Sequence, residues 1–514
     1  MGYRARADGE PWLLLADCTA ALVFGCEPDR QGGAMKKLLL VVAGLTVLLS
    51  VTAAAALAYG AAAGGGSPSV AAAKSASSHR WCNFVLAGKD ATADGSVMMG
   101  YNNDWSANNY VYLQVVPAAN PSAHRYLKIL TKGGIQEGGI NQDQLGVNYG
   151  AFTDLDSAVL AADPYLHKGY GGELWDMLLE QCSNVDEALD LLEVMADTKG
   201  FSAGAAGSFG LADADEAWVF ELLGGRHWVA ARVPDNAFLA HPNCLVVRQI
   251  NLSDPANFRG SADLRQHAID IGRYDPNEEP FDVAWAYGDR TELQSYYDTN
   301  RLWGAFNLVA PSLELQPSMP FATRPVWVVP DDPLTRQDLM AIDRYHYEGT
   351  VLDQTQNYTV LSPHDQTNRP ICYATTDYGS VWQLRDWLPA GVGGVVWIAP
   401  SRPCSSTFVP FYAGITSVPT AWTSKTAFNG FRAVAESLDA NGTIGGVTRY
   451  AYYFPLVRSV YGAYEAEVSA AQLCTERTAA RRDDAAQSVY LTDYSAQRAT
   501  QAYSLALSLP AQMP

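Results

Sequence analysis

Residues 81–105, WCNFVLAGKDATADGSVMMGYNNDW, hold a thiol, amides and a carboxylate at a spacing that one hairpin brings together. Cys82 is followed by a short apolar, β-favouring segment, and Asp94-Gly95 is a strong hairpin signal between apolar runs. The chain returns through Val97-Met98-Met99 to Asn102-Asn103-Asp104, which a hairpin of this length sets beside Cys82. A thiol flanked by a carboxylate and amides has the make-up of a nucleophile with its orienting groups. The competing reading is a small buried hydrophobe, the usual fate of a lone cysteine near a strand start. The place of Cys82 in the chain favours chemistry.

Residues 1–34 carry no pattern that needs to fold, and Met35 is the expected start. Lys36-Lys37, the apolar run 38–51 and the A-x-A sites of 53–58 make the n-region, h-region and cleavage zone of a secretory signal peptide over 35–58. An uncleaved membrane anchor is the rival, because residues 38–57 approach spanning length. The short h-region favours cleavage. Residues 59–81, rich in Ala, Gly and Ser, read as a linker or propeptide. The nucleophile candidate thus stands first in the folded part, behind a disposable leader. Cleavage before Cys82 would free an α-amine, whose pKa of about 7.7–8.0 suits a general base at neutral pH. One residue then supplies both thiol and base, and no catalytic histidine is required.

The same stretch resembles the opening of the dipeptidase A family of cysteine peptidases, relatives of the secernins among the N-terminal nucleophile hydrolases. The matching residues are Cys82, Gly88-Lys89, Asp94-Gly95-Ser96 and Asn102-Asn103-Asp104. Further family-like segments follow in order: GGINQDQLGVNYGAF from Gly138, ADADEAWVFEL from Ala212, AHPNCLVVRQINL from Ala240, RYHYEGTVLD from Arg344 and PCSSTFVPFYAGIT from Pro403. The resemblance runs from Cys82 to Pro419. It implies an α+β fold, a four-layer α-β-β-α sandwich, with a catalytic domain over 82–419. Residues 420–514 then form a helical C-terminal part of the same domain.

The resemblance also implies roles. Cys82 would be the nucleophile, with Asp104 orienting its freed amine. The related penicillin V acylase and bile-salt hydrolase types close the first hairpin with Arg-Asn-x-Asp, and Tyr101 stands here in the arginine's place. Asn102 or a distant arginine would then steady the thiolate, and Tyr101 and Asn102 join the expected substrate-binding residues. Asn148 and Asn243 match in type the asparagines used near the oxyanion, with Asn141 as the rival to Asn148 and a further substrate-binding candidate. Arg301 stands where relatives have a late active-site arginine, placed to pair with Asp104 or to lower the thiol pKa. Turn-forming asparagines and a surface arginine are the plain alternatives.

These groups need elements to hold them. The spacing predicts one or two helices over 172–195 with a cap at Ser183-Asn184. Strands are expected at 208–223, split by a hairpin at 213–215, and at 227–233. Residues 257–290 read as helix and loop, 311–333 as an extended connection, and 391–398 as a buried strand. Helices are expected over 421–438, 450–474 and 480–509. Arg344, His346 and Glu348 alternate as on one strand face, and Cys244 and Cys404 read as core.

Composition narrows the function. A chain of 514 residues with 48% hydrophobic and 17% charged residues is globular, and its net charge of -19 argues against a nucleic-acid partner. None of the eight cysteines forms a CxxC pair and the eight histidines include no HExxH, so zinc-ribbon, thioredoxin and zincin readings fail. No metal and no cofactor is expected, because a metal site would have to be assembled from distant residues. A small peptide is the expected partner, and membrane contact is expected only through an uncleaved signal segment. A homo-oligomer is compatible with the sequence. The expected function is that of an exported cysteine dipeptidase. A non-peptide amidase of the N-acyl amino acid or penicillin V acylase kind is the nearest alternative, and an inactive secreted relative of the fold is another. A papain-like enzyme is disfavoured, since Cys82 lacks its local signature.

Overall fold

The hairpin around Cys82 becomes the middle of a sheet. β1 (Asn83–Ala87) pairs antiparallel with β2 (Val97–Asp104), with Asn83 opposite Asn102 and Ala87 opposite Met98. Gly95 takes a φ of 81° in the turn, a left-handed value that glycine adopts without a Cβ penalty. Every residue of both strands is buried, which is why β1 reads as a continuous apolar run rather than an alternating one. Each large apolar side chain so buried contributes about 1.5–3 kcal/mol.

The structure, a computed structural model, describes residues 82–514 except 106–107, 151–152, 165–167, 203–206, 278–279, 354, 356–357, 359–361 and 365–367. The expected leader, signal peptide and linker lie outside the described residues. All of those described belong to one compact unit, His79–Pro514.

On one side of the β1–β2 hairpin lie β10 (Phe238–His241) and β12 (Trp327–Val328). On the other lie β13 (Thr376–Leu384), β14 (Val395–Pro400) and β15 (Val409–Tyr412). The seven run in the order β12-β10-β1-β2-β13-β14-β15, all antiparallel. A second, eight-stranded sheet is built from β3 (Val111–Val116), β4 (Tyr126–Thr131), β5 (Ile135–Asn141), β6 (Gly146–Asn148), β7 (Phe209–Ala212), β8 (Ala217–Leu222), β9 (Trp228–Arg232) and β11 (Phe258–Gly260). Its order, β11-β9-β8-β7-β6-β5-β4-β3, is close to a simple meander.

The two sheets face one another, with β1 against β7 and β8, β2 against β7, and β14 against β5. The helix Glu173–Gln181 covers β5 and β6 from outside, and Arg336–Asp343 covers β2 and β13. This is the expected α-β-β-α layering. The helices Lys425–Asp439, Arg449–Ala480 and Asp484–Ser508 pack on one another and on β14 and β15. They are the expected helical C-terminal region. Among the described residues, no helix is long and apolar enough to cross a membrane.

Local signals behave as their chemistry dictates. The Asn184 side chain caps the helix Val185–Thr198 by accepting from the Glu187 amide, separating it from Glu173–Gln181. Strands at 208–223 and 227–233 appear as β7, β8 and β9. Two expectations need correction. Residues 391–398 do not form one strand: Ala390–Gly393 is a helical turn and β14 starts at Val395. Arg344, His346 and Glu348 lie on no strand but in the loop leaving the Arg336–Asp343 helix, where Tyr347 takes a φ of 68°. A left-handed residue in mid-segment ends any two-residue alternation.

Candidate active site

Cys82 immediately precedes β1, beside the end of β2, and is fully buried. Along β2, Tyr101 and Asn103 share the face that looks toward Cys82 and the second sheet. The Tyr101 hydroxyl donates to Cys82 Sγ at 3.2 Å, and Asn103 Nδ2 approaches the same sulfur at 3.7 Å. Both also reach Glu137 Oε2 of β5, at 3.3 and 2.9 Å. Thr131 Oγ1 donates to the other Glu137 oxygen at 2.9 Å. The tyrosine in the arginine's place therefore still serves the sulfur, as a neutral donor. Burial, followed by the Cys82 and Glu137 charges, pushes its hydroxyl well above the ordinary phenol value.

Burial, then Glu137 and Asp104, push the thiol up to about 12, against the hydrogen bonds from Tyr101 and the Asp104 backbone. At that value the sulfur is a protonated thiol at neutral pH.

Asp104 closes β2 on the opposite face. Its carboxylate is clamped by Arg369 and by the Thr376 hydroxyl. Burial pushes this carboxyl up, and Arg369 and Thr376 pull part of the way back. A register shift in β13 between Thr376 and Tyr378 sets Thr376 opposite Asp104 and Tyr378 opposite Asn103. Such an irregularity re-aims side chains at a site.

Arg301 does not pair with Asp104 as one reading expected. It rises from the helix Tyr296–Val309, whose N-cap Ser295 accepts from the Tyr297 amide. Its Nη1 donates to the Cys82 carbonyl at 2.9 Å, and its Nη2 to Asn243 Oδ1 and Asp298 Oδ1, each at 2.7 Å. Asp298, three residues earlier on the same helical face, also accepts from the Asn243 amide at 2.9 Å. Asn243 arrives here because β10 pairs with β1, His241 opposite Phe84, and the chain runs two residues on. Arg301 thus holds the backbone of Cys82 rather than its sulfur.

Three expected residues sit apart from this cluster. Asn102 faces the other side of β2 and donates to the Asp343 and Ile371 carbonyls at 2.8 and 3.2 Å. Strand alternation explains why Asn103 and not Asn102 meets the thiol. Asn141, the last residue of β5, ties down the turn that follows: its amide donates to the Leu179 and Cys182 carbonyls and its oxygen accepts from the Asp143 and Leu145 amides. Those four bonds use its whole hydrogen-bonding capacity. Asn148 of β6, opposite Gly138 of β5, accepts from the Gly210 amide at 2.8 Å, while its buried Nδ2 has no hydrogen-bond partner among the described residues.

Sequence reading missed Glu137, Arg369 and Thr376. Glu137 had a faint signal, a lone acid in the apolar and glycine-rich IQEGGIN. Arg369 and Thr376 lie 265 and 272 residues from Asp104, and no local pattern marks them.

The model for peptidase family C69 matches residues 121–431, more than half of the chain. A probable dipeptidase of Salmonella dublin is 28% identical over 363 residues, covering 65% of this chain and 81% of that protein. Dipeptidase A of Lactobacillus helveticus is 24% identical over 382 residues, covering 68% and 78%. A dipeptidase of Bifidobacterium longum is 25% identical over 393 residues, covering 66% and 72%. Among solved structures, penicillin V acylase from Agrobacterium tumefaciens aligns with a TM-score of 0.27 and 12% identity, over 64% of this chain and 86% of that one. The chain belongs to peptidase family C69, a family of cysteine peptidases of N-terminal nucleophile type.

Proposed function

We propose that this chain is an exported dipeptidase that works through Cys82 once cleavage has made that residue N-terminal. The observation that carries the reading is the environment of Cys82. Its sulfur has two neutral donors, and its backbone carbonyl is held by a buried arginine. In the uncut chain the thiol is high in pKa and unreactive. Cleavage before Cys82 places an α-amine two bonds from the side chain. A positive charge there lowers the thiol pKa, and the neutral amine can take the thiol proton.

The sequence of events is nucleophilic acyl transfer. The Cys82 sulfur attacks the carbonyl carbon of the peptide bond while the α-amine accepts the thiol proton. The carbonyl oxygen becomes an oxyanion beside an amide donor, for which Asn243, held at the Cys82 backbone through Arg301, is the candidate. Collapse expels the second amino acid as its amine, which takes the proton. Water, activated by the same α-amine, then releases the first amino acid and restores the thiol. Asp104, held by Arg369 and Thr376, keeps the start of the domain in place. The dipeptidase names of the relatives point to dipeptides as substrates, and the leader pattern of residues 35–58 supports export.

The test compares the mature protein with Cys82→Ala on a panel of dipeptides and, in parallel, on N-acyl amino acids. Dipeptide hydrolysis should fall at least about a thousandfold in the variant, with circular dichroism near native. Preference for the N-acyl substrates would replace the dipeptidase reading by the amidase one. An undiminished Cys82→Ala would end the thiol mechanism.

A further inference from the structure

Away from Cys82, four side chains from two connections meet in the interior. His346 follows the Arg336–Asp343 helix, His364 lies farther along the same loop, Cys372 in its approach to β13, and Cys404 in the turn Pro403–Ser405 after β14. All four are buried, and one ligand atom from each lies within 4.8 Å of the others. We propose that His346, His364, Cys372 and Cys404 form a structural zinc site of the Cys2His2 type.

The geometry suits that ion. Zinc binds thiolate sulfur at about 2.3 Å and imidazole nitrogen at about 2.0 Å in a tetrahedron, whose sulfur–nitrogen edge is then about 3.5 Å. Cys404 Sγ lies 3.5 Å from His364 Nε2.

The surroundings are those of metal-binding imidazoles, which turn their second nitrogen to a carboxylate. His346 Nδ1 faces Glu348 Oε1 at 2.9 Å, and His364 Nδ1 faces Asp439 Oδ1 at 3.5 Å. Arg402 holds the other Asp439 oxygen and also lies 3.3 Å from His364 Nδ1. The Tyr450 hydroxyl donates to Cys404 Sγ at 3.5 Å.

His346 supplies the independent sign. Its Nε2 is buried, has no nitrogen or oxygen hydrogen-bond partner among the described residues, and is left facing the Cys404 thiol. A buried ring nitrogen left so is costly, and a metal lone-pair acceptor removes that cost. Charge balances as well. Cys372 and Cys404 each release one thiol proton to solvent, two Zn–S and two Zn–N bonds form, and two thiolates neutralise one Zn(II). A Cys372–Cys404 disulfide, the rival state, would leave both histidines and their carboxylates without a task.

The site bears on the thiol site through the backbone. Cys372 lies between Arg369 and Thr376, the two residues that clamp Asp104. Zinc would fasten that segment to the loops of His346, His364 and Cys404. Its role is positional, since none of the four is among the groups gathered at the Cys82 sulfur.

Elemental analysis of the purified full-length protein tests this. About one zinc per chain is expected, lost in Cys372→Ser/Cys404→Ser and kept in Cys82→Ala. Because the double variant can fail to fold, the wild-type protein is also stripped with a chelator and titrated with cobalt(II). A thiolate-to-cobalt charge-transfer band with tetrahedral d–d bands is expected. Zinc kept by the folded double variant would overturn the proposal. So would a wild-type protein with reduced thiols that takes up neither metal, or a Cys372–Cys404 disulfide found by peptide mass.

Discussion

At the scale of single residues, the site turns on what surrounds one sulfur. Tyr101 and Asn103 give it neutral donors, while Glu137 and Asp104 oppose its ionisation. In the uncut chain, alkylation of Cys82 should therefore be negligible at pH 7 and rise only as pH approaches about 12, read by the mass of the Cys82 peptide. Glu137→Gln keeps the side chain's shape but removes a negative charge, so the thiolate becomes less costly. The alkylation profile should shift to lower pH; an unmoved or upward-shifted profile would contradict this electrostatic account. Arg369 can be tested by stability. Arg369→Ala leaves the Asp104 carboxyl buried without its ion pair, and breaking a buried pair costs about 3–5 kcal/mol. Urea unfolding should show that loss, and adding Asp104→Asn should recover part of it.

At the scale of elements, the helix Tyr296–Val309 is the arm that brings Arg301 to the Cys82 backbone. It is held against Tyr347, whose ring would come within 2.4 Å of a Cβ at Gly304. Gly304→Ala raises helix propensity by about 1 kcal/mol. It should nevertheless destabilise the protein, by about 1–3 kcal/mol of overpacking against a fully buried ring. A higher melting temperature in this variant would show that the ring yields.

The same elements show what sequence can carry. Cys82 and Asp104 were legible because a single hairpin joins them, and turn chemistry marks a hairpin. The choice between Asn102 and Asn103 was not, since it depends on which face of β2 meets the second sheet. Asn141 and Asn148 look alike in sequence, each beside a glycine-containing strand. Only the closed turn around Asn141 separates them. Glu137, Arg369 and Thr376 reach the site by tertiary pairing, as do the four residues of the buried Cys/His cluster. No spacing rule covers such assemblies. The long C-terminal helices were readable from their own periodicity, which needs no partner.

At the scale of the whole molecule, charge and processing set the behaviour. Asp154, whose amide donates to the Asn243 carbonyl, is pushed up to about 7 by burial and by Asp298, Glu292 and Asp289, against the pull of Arg301. Unfolded, an aspartate titrates near about 3.9, so between the two values the folded state binds the extra proton. Stability from this group is greatest below about pH 4 and is lost as pH rises through about 7. Asp154→Asn should thus raise the melting temperature at pH 8 and leave it nearly unchanged at pH 4. The reverse pattern would show that Asp154 stabilises the fold as a carboxylate.

The central claim is that Cys82 acts only after it becomes the first residue of the chain. Intact mass and N-terminal sequencing of the purified protein, with dipeptide hydrolysis measured on the same fractions, test it directly. The account predicts that active fractions begin at Cys82, and that forms retaining residue 81 are inactive. Full dipeptidase activity in a chain with residue 81 still attached would contradict it.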